Sequence, residues 1–179
     1  NSTNGVDTYI KELSTGNYGS SSILNVGTNS NPREFRTLLK FNLSAIPSTD
    51  TIVDATLKLY VNFSSGSGNR TINIYRVTKN WEELGATWNN SSVSSLWNSP
   101  GGDFSGEVTS RKIGTVSGKY YNFTVTSLVR NWVNGSLSNY GLLLLSNDSL
   151  AGNYTSFSSS DSLNSSQRPE LIINHVLNS

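Results

Sequence analysis

Side-chain polarity alternates residue by residue through most of this chain, and a period of two is the signature of a strand buried on one face. In LLKFNLS the apolar Leu39, Phe41 and Leu43 alternate with Lys40, Asn42 and Ser44. In LKLYVNFS, Leu57, Leu59, Val61 and Phe63 alternate with Lys58, Tyr60, Asn62 and Ser64. The same pattern predicts strands over Val6–Glu12, Ser22–Gly27, Phe35–Leu43, Thr56–Phe63, Thr71–Val77, Glu107–Val116, Tyr120–Val125, Gly141–Ser146, Tyr154–Ser158 and Pro169–Val176. Clusters rich in Gly, Ser, Asn and Pro separate them, among them STGNYGSS, TNSNP, SSGSGN and NSPGGD. About ten short strands at this spacing predict an all-β fold, a jelly-roll-type two-sheet antiparallel β-sandwich. One short helix is predicted over Ser127–Val133, with Thr126 as N-cap, Leu128, Val129, Trp132 and Val133 as its apolar face, and Gly135 as its stop.

A chain of 179 residues without a long linker reads as a single β-sandwich domain over 1–179, with 1–5 and 177–179 as flexible or exchanged termini. Hydrophobic residues make up 35% of it and include 4 Trp, 8 Tyr and 6 Phe, enough to build a core. Charged residues are scarce at 14%, with a net charge of +1, so solubility falls to Ser, Thr and Asn. That balance offers no basic cluster for nucleic acid, and no apolar run reaches the roughly 18 residues of a membrane span. The absence of Cys excludes thiolate chemistry and fits a bacterial or archaeal source better than a eukaryotic secreted one. The absence of Met fits a mature chain relieved of its leader.

Asn-x-Ser/Thr acceptor triplets begin at Asn1, Asn42, Asn62, Asn69, Asn89, Asn90, Asn122, Asn134, Asn147, Asn153 and Asn164. These are 11 triplets where the Asn, Ser and Thr content gives about 6 by chance. Asn42, Asn62 and Asn122 fall on the polar beat of their strands and therefore face outward. Exposed acceptors predict an N-glycosylated protein that is secreted or on the cell surface.

Four stretches resemble the signature of the DNRLRE domains, also grouped as carbohydrate-binding module family 96, in the family's order: FRTLLKFNLSAIPSTDTIVDATLKLYV, VTKNWEELGATWNN, YNFTVTSLVRNWVNGSLSNYGLLLL and YTSFSSSDSLNSSQRPELII. The resemblance spans roughly Val6 to Val176. It implies an extracellular, non-catalytic jelly roll, found beside polysaccharide-degrading enzymes or in surface and matrix proteins. Where the family usually has Asp, this chain has Asn42 and Thr124, and each change completes an acceptor triplet.

Catalysis has little support in the residues. His175 is the only His, so no Ser-His-Asp triad has independent backing, and adjacent Glu82 and Glu83 aim apart in extended chain. Trp81, Trp88 and Trp132 lie inside the family signature and read as core, whereas Trp97, in the polar stretch SSLWNSPGGD, reads as an exposed sugar contact. Arg76 and Arg111 join it as candidates for an acidic polysaccharide, among dispersed basic residues that include Arg33, Arg36, Arg70, Lys112 and Lys119. No cofactor is called for. The turn aspartates Asp7, Asp50, Asp54, Asp103, Asp148 and Asp161 are candidates for a structural calcium. Two functions follow. The first is a glycosylated structural or adhesive subunit, self-associating into a fibre or surface layer as a segment such as Gly5–Leu13 completes a neighbour's sheet. The second is a carbohydrate-binding module for an acidic polysaccharide such as alginate.

Overall fold

The computed structural model describes residues 5–148 and 150–177. The ten predicted strands are all present, joined by a small extra hairpin. In chain order they are β1 (Gly5–Lys11), β2 (Ile23–Thr28), β3 (Glu34–Phe41), β4 (Thr51–Ser64), β5 (Arg70–Val77), β6 (Asn90–Ser92), β7 (Ser95–Leu96), β8 (Phe104–Ile113), β9 (Lys119–Thr124), β10 (Leu142–Ser146), β11 (Tyr154–Ser158) and β12 (Glu170–Val176). Helix α1 (Thr126–Val133) connects β9 to β10, and a 3-10 turn (Ser165–Gln167) precedes β12. Of the termini predicted at 1–5 and 177–179, residues 1–4 and 178–179 lie outside the described residues, and Gly5 begins β1.

Every ladder is antiparallel. One layer runs β1-β3-β10-β5-β8; in the other, β4 carries β9 along one edge and β12 and β11 along the opposite edge, with β2 beyond β11. The layers are joined at a corner where β2 and β3 share just two residue pairs, Gly27–Phe35 and Thr28–Glu34. The inward beat of both layers makes the main core. Leu57, Leu59 and Val61 of β4 and Phe123 of β9 meet Leu39, Phe41, Ile72, Ile74, Leu142 and Leu144, closed at one end by Trp132 of α1. Burying one such side chain stabilises the fold by about 1.5–3 kcal/mol.

The run Leu142–Leu145 breaks the alternation because β10 is buried on both faces. Leu142 and Leu144 enter the main core, while Leu143 and Leu145 point outward into a second cluster with Ile10, Leu38, Trp81, Trp88 and Trp97. Residues 78–103 fold back over this outer face and supply the three indoles. Trp81 Nε1 donates to the Tyr140 carbonyl at 2.7 Å, and the Arg36 guanidinium lies 4.8 Å from the Trp88 ring centroid. Gly101, at φ +93°, leaves room for both, since a Cβ there would lie 2.6 Å from Arg36 Nη1 and 2.9 Å from the Trp88 ring.

Three local expectations are corrected. Trp97 is only 4% exposed, because the Asp103 carboxylate accepts from the Asn98 and Ser99 amides and turns the loop inward, where Trp97 Nε1 donates to the Thr87 carbonyl at 3.0 Å. Phe63 does not continue the inward beat of β4. It is 49% exposed, beyond a register shift between Ser156 and Phe157 in the facing β11. Thr126 does not cap α1. Its Oγ1 accepts from the Ala55 amide at 3.0 Å and ties the helix to β4, and among the described residues no side chain caps the N-terminus. The apolar face Leu128, Val129, Trp132 and Val133 is buried as predicted.

Candidate functional site

At the corner joining the layers, the register sets Lys11, Phe35, Gly27 and Tyr154 side by side across β1, β3, β2 and β11. Directly opposed residues share a face of the sheet. Gly27, at φ +119°, has no side chain to occupy the middle of that line, and a Cβ there would lie 2.8 Å from the Tyr154 Cα and against the Asn153 carbonyl. The Phe35 and Tyr154 rings close over the gap, 5.7 Å apart between centroids. The line extends both ways: Tyr9 meets Phe35 edge-on at 5.7 Å, Tyr18 stacks on Tyr9 at 4.2 Å, and Phe63 lies 5.8 Å beyond Tyr154. Five rings from five segments of chain thus form one continuous row. Phe35 is buried as its keystone, Phe63 is exposed, and the three tyrosines are half-buried.

Polar groups border the row. A hollow of about 460 Å³ is lined by Asn25, Asn29, Ser30, Asn31, Phe35 and Tyr154. Asn29 Oδ1 accepts from the Asn31 and Arg33 amides and shapes the turn. Its Nδ2, the Ser30 hydroxyl and the Asn31 side-chain amide make no hydrogen bond among the described residues. Burial pushes the Tyr9 hydroxyl above its ordinary range, helped by neighbouring Tyr18 and opposed by a hydrogen bond with Asn25. Lys11 Nζ stands 5.9 Å from the Phe35 centroid, and neither Lys11 nor Arg33 joins an ion pair among the described residues. Aromatic faces that stack on C–H surfaces, free amide donors and two unpaired cations suit a hydroxyl-rich ligand carrying carboxylates.

The model of carbohydrate-binding module family 96 matches residues 1–175. This chain belongs to that family. No curated protein matches it. In this family member, five rings line up on the corner between the layers.

The residues singled out from the sequence stand elsewhere and apart. Trp97 is packed in the outer cluster. Arg76 is half-buried and borders a small hollow with Leu128 and Asn131 of α1. Arg111 is exposed on β8, where its Nη1 donates to the Asn122 carbonyl at 2.6 Å and its guanidinium covers Tyr121. Among the acceptor asparagines, Asn42, Asn62, Asn69, Asn89, Asn122, Asn134, Asn147 and Asn164 are exposed, and Asn90 is half-buried. Asn153 is 5% exposed and its Nδ2 donates to Asp148 at 2.8 Å. Asn1 lies outside the described residues. Among the described residues, no three of His, Asp and Glu gather into a metal-holding group. Among the turn aspartates, Asp50 meets His175 Nδ1 at 2.7 Å, Asp54 accepts from Asn174, and Asp103 and Asp148 accept as described above.

Tyr9, Tyr18, Phe35, Tyr154 and Phe63 were not legible as a site. Tyr9 sits on the opposite beat from Val6 and Ile10, a hint that β1 presents a second aromatic face. Only the register connects it to Tyr154.

Proposed function

We propose that this domain binds a polysaccharide along the Tyr18–Tyr9–Phe35–Tyr154–Phe63 row, outside the cell, and performs no chemistry on it. The family assignment supports carbohydrate as the ligand class, and the row is the observation that carries the site. Lys11 and Arg33, without carboxylate partners, favour an acidic chain such as alginate. Burial of Asn153 beside Tyr154 supports a row free of glycan at its centre, while exposed acceptors elsewhere carry the sugars. Affinity electrophoresis in alginate gels tests the reading. Tyr154→Ala should weaken retention about tenfold, the loss of about 1.4 kcal/mol of stacking. Wild-type retention by Tyr154→Ala and Tyr9→Ala alike would place binding elsewhere.

A structural role is the second reading, favoured by β1. It is the edge strand of its layer and pairs with β3 at all seven positions, Gly5–Lys11. The same strand donated by a neighbouring copy would make the same bonds, and head-to-tail repetition would build a fibre. Electron microscopy of the natively isolated protein decides it: filaments support strand donation, and monomers at every concentration refute it.

A further inference from the structure

A cavity of about 610 Å³ opens between the end of β3, the turn that follows it and the C-terminal end of α1. Phe41, Leu43, Ile46, Trp132 and Val133 form its apolar walls, and Asn42 and Ser44 stand among the residues that line it. Two further polar residues there are already engaged. Asn139 donates to the Phe41 carbonyl and accepts from the Gly141 amide, and Lys40 Nζ turns to the Trp81 carbonyl at 3.4 Å. Asn42 is different. Its Oδ1 accepts from the Ser44 amide at 2.9 Å, which fixes the side chain and leaves Nδ2 without a partner among the described residues. Nδ2 is the atom to which an N-linked sugar is joined.

We propose that the first sugar of a glycan on Asn42 lies in this cavity and covers its apolar walls, making that glycan part of the fold. The inference rests on the reading of Asn42 as an occupied acceptor. Attachment forms a bond from Nδ2 to the anomeric carbon of a phosphate-activated sugar donor. Nδ2 gives up one proton, and the donor's phosphate leaves with the electron pair of the broken C–O bond. Because the acceptor is held at the cavity, the first ring has little freedom to stand away from it, and its C–H face meets Phe41, Leu43 and Trp132. The edges of Leu43, Ile46, Trp132 and Val133 that the protein alone leaves in reach of water are thereby covered.

The test uses protein made in a host that glycosylates it, in three forms: wild type, Ser44→Ala and Ser136→Ala. Ser44→Ala destroys the Asn42 triplet while keeping the Asn42 side chain and its bond to the residue 44 amide. Ser136→Ala does the same for Asn134, exposed in the turn after α1. Glycopeptide mapping establishes occupancy; hydrogen exchange over residues 41–46 and 132–133, and Tm, establish docking. Loss of the Asn42 glycan should speed exchange in both segments and lower Tm by about 2–4 °C, with no change from loss of the Asn134 glycan. Mapping that finds Asn42 bare in the wild type overturns the inference through its acceptor. An occupied Asn42 whose removal leaves exchange and Tm unchanged overturns the docking alone. Asn42→Gln, measured alongside, guards against a fault peculiar to the Ser44 change.

Discussion

Asp7 is 1% exposed in the edge strand β1, and its carboxyl group is the most perturbed acid of the molecule. Burial raises its pKa from 3.8 to about 7, against the Ser160 amide that donates to Oδ2 at 2.8 Å, and the negative charges of Glu83 and Asp161 push it the same way as burial. Its Oδ1 has no hydrogen-bond partner among the described residues. A carboxyl whose folded pKa lies above its unfolded one costs nothing below pH 3.8, where both states hold the proton. Between that pH and about 7 the folded state holds a proton the unfolded state has lost, so stability falls as pH rises; above about 7 the full cost persists. From 3.8 to about 7, at about 1.36 kcal/mol per pH unit, that cost is about 4 kcal/mol. Asp7→Asn keeps an oxygen for the Ser160 amide and removes the ionisation. Urea unfolding of both proteins at pH 4 and pH 8, followed by Trp fluorescence, isolates the effect, since the two proteins differ only in this carboxyl group. The wild type should lose about 4 kcal/mol more than the variant between these values. Equal losses in the two proteins would refute the reasoning and mean that the carboxyl is ionised, and accommodated, in the fold.

Two further substitutions test the packing. Trp97→Ala should cost about 3–5 kcal/mol in denaturant unfolding, because the indole is enclosed in the outer cluster; a cost below about 1 kcal/mol would return it to the surface. Gly27→Ala should cost about 2 kcal/mol or more, since its φ of +119° is strained for any L side chain and the new Cβ meets the Tyr154 backbone. Unchanged stability in that variant, by the same assay, would mean that the corner between the layers can shift to admit a methyl group.

The strands were legible because burial on one face leaves its beat in the letters: Leu57, Leu59 and Val61 are inward as read. The beat misled at Phe63, where a shift in the facing strand, invisible in the segment itself, turned the ring outward. It also fell silent in Leu142–Leu145, because two buried faces erase alternation. Trp97 was misjudged from its polar neighbours, whose hydroxyls and amides serve the turn and not the solvent. The aromatic row was hidden for a deeper reason. Each ring is unremarked in its own segment; the β1–β3 pairing joins Tyr9 to Phe35, and Tyr154 is brought in only by the pairing of β2 with β11, more than a hundred residues apart in the chain.

The outer cluster changes what the β1-β3-β10-β5-β8 sheet is. With Leu38, Leu143 and Leu145 facing one way and Leu39, Leu142 and Leu144 the other, that sheet is the middle layer of a three-layer molecule, and residues 78–103 are its third layer. Excising that segment would bare Ile10, Leu38, Leu143 and Leu145 together, an apolar patch of the kind that draws chains to one another. The indole-bearing lid is what keeps this sheet's second face private to one chain.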